Sequence, residues 1–134
     1  MRPDIGSEEI NELFTASWAE SECEAHDWTP VLSRSLTYVC AWQDGRLVGF
    51  VNVAWEGAIH AFILDTTIHP NMRIRGIGTQ LVKRAAEVAR QCGVEWLHVD
   101  YEPHLAEFYR RCGFGTTGAG LMRLGKGPNQ DTSA

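Results

Sequence analysis

The stretch that most limits what this chain can fold into is Ile68-His69-Pro70-Asn71-Met72-Arg73-Ile74-Arg75-Gly76-Ile77-Gly78-Thr79, because the hydrophobic period changes across it. Ahead of it lie two β-rich runs, residues 36–42 and 46–55, separated by Gln43-Asp44-Gly45. Asp-Gly between such runs predicts a hairpin. Glu56-Gly57 predicts a second turn, and residues 59–68 a third strand. Pro70 has no N–H for a strand ladder and ends that strand. Behind the stretch, Ile77, Leu81, Ala85, Val88 or Ala89, and Cys92 recur on one helical stripe, with Gly93 as the residue that stops it. Residues 94–99 read as another strand. Pro103 opens a last helix carrying Leu105, Phe108, Tyr109 and Cys112, closed by Gly113, and residues 120–124 suit a final edge strand.

Upstream, Ile10, Leu13, Phe14 and Trp18 place residues 7–19 on an amphipathic helix with Ser7 as its N-cap. Residues 20–28 form an acidic loop without a period, and Thr29-Pro30 opens a short second helix ending near Arg34. Helices, a β-meander, then strand–helix–strand–helix give one α/β domain over residues 1–124, built on a mixed, splayed sheet flanked by helices. Residues 125–134 are polar and read as a disordered tail.

A length of 134 residues suits one core, and 44% apolar with 22% charged residues is the balance of a soluble domain. No window offers the roughly 20 apolar residues of a membrane span, and the N-terminus has no secretory apolar region. Four cysteines without a Cys-x-x-Cys pair read as reduced thiols in a cytoplasmic protein. The five histidines lack ligand spacing, so no metal is expected. A net charge of −5 argues against a nucleic-acid partner, yet Arg73, Arg75, Lys83 and Arg84 gather positive charge locally, which suits a small polyanion.

That charge surrounds a predicted helix start. The first N–H groups of a helix have no internal partner and lie at the positive end of its dipole, and the two glycines let a ligand come close to the backbone. Phosphate is the natural ligand of such a terminus. A nucleotide P-loop needs Lys-Ser/Thr after its last glycine, whereas Thr79-Gln80 follows Gly78. A dinucleotide fingerprint needs a third glycine where Leu81 stands.

The segment resembles the GNAT superfamily of acyl-CoA-dependent N-acyltransferases, whose signature is a strand, Val-x-Pro, then Arg/Gln-x-x-Gly-x-Gly/Ala opening a helix. A second family element, Phe/Leu-Tyr-x-x-x-Gly-Phe, is matched by Phe108-Tyr109-Arg110-Arg111-Cys112-Gly113-Phe114. The resemblance covers residues 36–124 well and the N-terminal helices loosely. Family members usually begin with a strand, for which residues 1–6 are short, and often carry Asn where this chain has Glu102. The resemblance implies that acetyl-CoA is held by Arg73, Ile74, Arg75, Gly76, Ile77, Gly78 and Thr79. It implies a pantetheine arm in a gap between the third strand and strand 94–99, an Ile68 N–H facing the thioester carbonyl, and Tyr109 as general acid. The implied reaction is acetyl transfer to a primary amine on a small molecule or peptide, and a homodimer is compatible with it. Transfer of another acyl group and a non-catalytic acyl-CoA sensor are the alternatives.

Amine attack also needs a proton acceptor. Asp65, an acid in an otherwise apolar run, comes first, His98 on the neighbouring strand second, and His60 and His69 below them. Trp28, beside Glu20, Glu22, Glu24 and Asp27, is a candidate for lining a site for a cationic amine, while the other tryptophans are expected in the core.

Overall fold

The computed structural model describes residues 5–17, 27–72 and 76–125. Helices α1 (Ser7–Ser17) and α2 (Thr29–Ser33) precede strands β1 (Ser35–Gln43), β2 (Arg46–Trp55) and β3 (His60–Ile68). Then come α3 (Ile77–Gln91), β4 (Trp96–Val99) and α4 (Ala106–Arg111), with single 3-10 turns at Pro70–Met72 and Pro103–Leu105. The order β1-β2-β3-β4 is antiparallel up to β3 and parallel between β3 and β4. This is the expected mixed sheet.

The β1–β2 hairpin turns at Asp44 and Gly45, both at positive φ (51° and 75°), the geometry whose twist suits a two-residue hairpin loop. Alternation along the strands divides the core into two layers. Against α1 and α2, Phe50 is fully buried, its ring centroid 5.9 Å from Trp28 and 6.2 Å from Tyr38, with Ile10, Leu13 and Leu32 around them. On the other face, Val51, Val53, Ala61 and Ile63 pack with Leu81 and Ala85 of α3. The stripe read from the sequence is therefore the buried face of α3, except that Cys92 lies beyond the helix end and is exposed.

Several local expectations change. Gly6, not Ser7, precedes α1, and Glu9 reaches back to accept the Gly6 N–H at 3.1 Å, half of a capping box. Ser7 Oγ accepts the Trp28 N–H at 2.8 Å, tying α1 to the start of α2. Trp28, considered for an acceptor site, is buried in the core. Trp42 and Trp96, expected inside, are 43% and 57% exposed at the two sheet edges. No strand forms over residues 120–124, where Leu121, Met122 and Leu124 stand almost fully in solvent. Residues 5 and 6 are not in a strand. Residues 1–4, the 18–26 loop with Trp18, and the tail from 126 lie outside the described residues. Among the described residues no helix is long and apolar enough to cross a membrane.

Cys40, Cys92 and Cys112 are free thiols. Burial, reinforced by the Glu9 charge, pushes the Cys40 thiol up to about 12. Since the thiolate is the reactive form, a disulfide reagent at pH 8 should modify exposed Cys92 before Cys40 and leave Cys40 unmodified until the fold opens. Mass mapping of the labelled peptides checks the order, and early labelling of Cys40 would contradict the packing described here.

Candidate active site

The site is organised by a departure from regular pairing in β3. Phe50 of β2 faces Thr67 and Asn52 faces Leu64, so Asp65 and Thr66 together oppose the single residue Val51. One extra residue on one strand is a β-bulge. Asp65 sits in it at φ 58°, a left-handed conformation that Asp tolerates better than most side chains, and Thr67 Oγ1 donates to the Asp65 carbonyl at 3.2 Å. Just before the bulge, pairing with β4 stops: Ile63 faces Val99, and β3 continues to Ile68 without β4 beside it. β3 thus runs on past the end of β4, on the side where the resemblance placed a gap between the two strands.

The bulge sends its two side chains to different neighbours. Asp65 Oδ2 accepts a long, 3.5 Å hydrogen bond from Asn52 Nδ2. Asn52 is buried in β2, its Oδ1 taking a short hydrogen bond from the buried Ser35 hydroxyl. Asp65 is open to solvent on one side and enclosed on the other. Loss of water on the enclosed side raises its carboxyl above the ordinary value, and the Asn52 hydrogen bond opposes that rise only in part. Thr66 instead stands beside Tyr109 of α4. Its Oγ1 is buried and makes no hydrogen bond of good geometry among the described residues. A buried hydroxyl left in this state is costly.

Tyr109 is 5% exposed, stacked on Tyr101 (centroids 5.1 Å, 22°) and edge-on to Phe108 and Phe114. Burial raises its phenol above the ordinary value, against the lowering influence of the Thr66 hydroxyl, so it is protonated at neutral pH. Phe108 is the link to the helix start. A side chain at Gly78 would come within 3.3 Å of the Phe108 ring, so Gly78 lets α4 lie against the first turn of α3. Gly76 precedes that turn at φ 75°, and among the described residues no side chain caps the helix. By helix geometry the amides of Ile77, Gly78 and Thr79 have no partner within α3, whose ladder begins with Gln80 N–H to Gly76 O at 3.1 Å. Ile68, opposite Gly49 at the end of β3, packs with the α3-side core.

Of the residues expected from the sequence, the structure brings Ile68, Gly76, Ile77, Gly78, Thr79, Asp65 and Tyr109 to one end of the sheet. Arg73, Ile74 and Arg75 lie outside the described residues. His98 is a poorer base than expected: it faces Phe62 in the register, three residues before Asp65, about 10 Å down the strand. His69 accepts the Asn71 N–H within its own turn. Asp27, just before α2, accepts the Thr29 N–H at 3.0 Å, which holds its carboxyl below the usual range. Sequence reasoning missed Asn52, Thr66 and Tyr101. Asn52 did carry a signal, as the one polar side chain in the run 47–55. Thr66 carried none.

The sheet, its bulge, the start of α3 and the buried Tyr109 lie within residues 7–114, which match the acetyltransferase (GNAT) family, and the chain belongs to that family. Streptothricin acetyltransferase of Streptomyces lavendulae is 37% identical over 90 residues, 63% of this chain and 47% of that protein. The uncharacterized N-acetyltransferase ycf52 of Porphyra purpurea is 32% identical over 69 residues, 52% of this chain and 40% of that protein. The chain therefore spans less than half the length of either relative. A GNAT-family acetyltransferase of Streptococcus pneumoniae shares the fold, with a TM-score of 0.70 at 22% identity over 91% of this chain and 94% of that one.

Proposed function

We propose that the chain is an enzyme that transfers an acetyl group from acetyl-CoA to a primary amine by direct attack on the thioester. The observation that carries this reading is the protonated, buried Tyr109 beside the unpartnered Thr66 hydroxyl, joined through Phe108 to the uncapped start of α3. The residues present fit the cofactor: the amides of Ile77, Gly78 and Thr79 would hold its phosphates at the positive end of a 15-residue helix, with Arg73 and Arg75 adding charge. Acetyl-CoA supplies an acyl carbon activated by a thiol leaving group.

The chain's own residues then manage protons. A free alkylamine of pKa about 10.4 is neutral in only about one molecule per thousand at pH 7, a penalty of roughly 4 kcal/mol. Asp65, made more basic by its partial loss of water, accepts a proton from the amine as the N–C bond forms. Tyr109 donates its proton to the sulfur as the C–S bond breaks and regains one from solvent. Asn52 orients the Asp65 carboxylate. The likeness to streptothricin acetyltransferase supports a small-molecule acceptor.

A panel of amines mixed with protein and acetyl-CoA should release free thiol with at least one amine. Binding of coenzyme A without thiol release from any amine would leave only a sensor. The pH dependence identifies the base. Turnover should rise with pH along a limb lying above the ordinary Asp value of 3.8, and Asp65→Asn should flatten that limb. Stability should move the other way. A carboxyl whose folded pKa exceeds its unfolded one costs stability above the folded pKa and nothing below the unfolded one. Asp65→Asn should therefore melt higher than the parent at pH 8, with the gain shrinking as pH falls. An unchanged pH profile in Asp65→Asn would remove Asp65 from the mechanism.

A further inference from the structure

At the opposite, paired end of the β3–β4 ladder lies a second arrangement that the transfer reaction does not use. His60 Nδ1 and His98 Nε2 are 2.9 Å apart on adjacent parallel strands, at residues 38 apart in sequence. Linear spacing hid the pair; strand register assembles it. Both rings are on the open sheet face beside Phe62 and Trp96, and His98 is exposed.

We propose that His60 and His98 form a two-imidazole chelate for a divalent transition metal, copper(II) or nickel(II) before zinc. The separation is the first reason. Two imidazole nitrogens at about 2.0–2.1 Å from one metal lie about 2.9 Å apart at a right angle and about 3.4 Å apart at a tetrahedral angle. The two nitrogens now share a hydrogen bond at 2.9 Å, a separation that a right-angle site of a square-planar or octahedral ion would keep. The second reason is that both side chains are held by rigid elements. The His60 N–H donates to Glu56 Oε1 at 3.0 Å, and the His98 ring stacks on Phe62 at 4.6 Å with 21° between planes. Glu95 and Trp96 N–H groups both donate to the Ile59 carbonyl at 2.9 Å, pinning the start of β4 to β3. Binding a metal needs the hydrogen-bonded proton displaced and both rings turned so that their lone pairs converge, while the strands that carry them stay in place.

Among the described residues no third His, Cys, Asp or Glu joins the pair, so water or an outside ligand fills the remaining positions. Proton balance is simple. The proton shared between the facing nitrogens moves to the far nitrogen of its own ring, both facing lone pairs become donors, and net charge is conserved apart from the metal's own. Bound metal would clamp the only stretch where β3 and β4 pair.

The test uses the chain without an affinity tag, titrated with copper(II), nickel(II) or zinc(II) by calorimetry and followed by thermal melting. One equivalent should bind, with copper tighter than nickel and zinc, and should raise the melting temperature. His60→Asn and His98→Gln should each weaken binding about 100-fold, because the second contact is intramolecular only when both imidazoles are present. Each should also abolish the thermal shift, while His104→Asn, at an exposed histidine elsewhere, should behave as the parent. Melting of each variant without metal establishes that it is folded. The proposal is overturned if either single variant keeps the parent's affinity and thermal shift, or if His104→Asn removes them.

Discussion

Replacing Tyr109 with phenylalanine will lower turnover by about 10²–10⁴-fold, the usual loss on removing a general acid. The fold will survive, because the ring keeps its stack on Tyr101 and its edge contacts with Phe108 and Phe114. The hydroxyl lost has no well-formed bond to Thr66, whose Oγ1 is already unpartnered, so stability should change by less than about 1 kcal/mol. Tyr109→Ala makes the contrast: emptying a buried ring site costs about 3–5 kcal/mol. Steady-state turnover with the amine found by thiol release, calorimetry with coenzyme A, and thermal melting separate the cases. Full turnover in the phenylalanine variant would reduce Tyr109 to packing, and loss of coenzyme A affinity would make it a binding contact.

Gly76→Val should remove coenzyme A binding, and the structure changes the reason one would give for it. Nothing lies within 4 Å of a side chain built at Gly76, so crowding is not the cause. The cause is φ 75°, a conformation that costs an L-residue roughly 1–2 kcal/mol and a β-branched one more. Valine will relax to negative φ, and the amides of Ile77, Gly78 and Thr79 will turn away from a common point. Gly76→Asn supplies the control, since Asn tolerates the left-handed region and should keep most of the affinity. Calorimetry showing equal affinity in Gly76→Val and the parent would move the phosphate site off the start of α3.

What the sequence made legible was whatever local chemistry dictates. Asp44-Gly45 placed the hairpin turn, and the stripe through Leu81, Ala85 and Val88 placed α3 against the sheet. β3 ends at Ile68, two residues before Pro70. Features set by partners distant in the chain stayed hidden. Trp28 looked available in a polar loop, but Phe14 and Phe50 enclose it. Leu121, Met122 and Leu124 have the apolar content of a strand, yet a strand needs a ladder partner, and among the described residues none takes them up. Asp65 was noticed as an acid out of place, while the bulge that turns it toward Asn52 depends on β2 and has no local mark. The second glycine was legible as a requirement but not in its use, since Gly78 makes room for Phe108 as well as shaping a helix start.

The extra residue in β3 also sets the phase of everything after it. Ile63 and Ile68 are an odd number of positions apart, yet both pack into the α3-side core. In an unbroken strand they would point to opposite faces. Removing one residue at Asp65–Thr66 would therefore be more damaging than changing either. Ile68 would rotate out of the core, and the chain would leave β3 half a repeat out of step. The vulnerability of this site lies in counting as much as in chemistry, and a length change too small to alter composition would displace Ile68 and the start of α3 together.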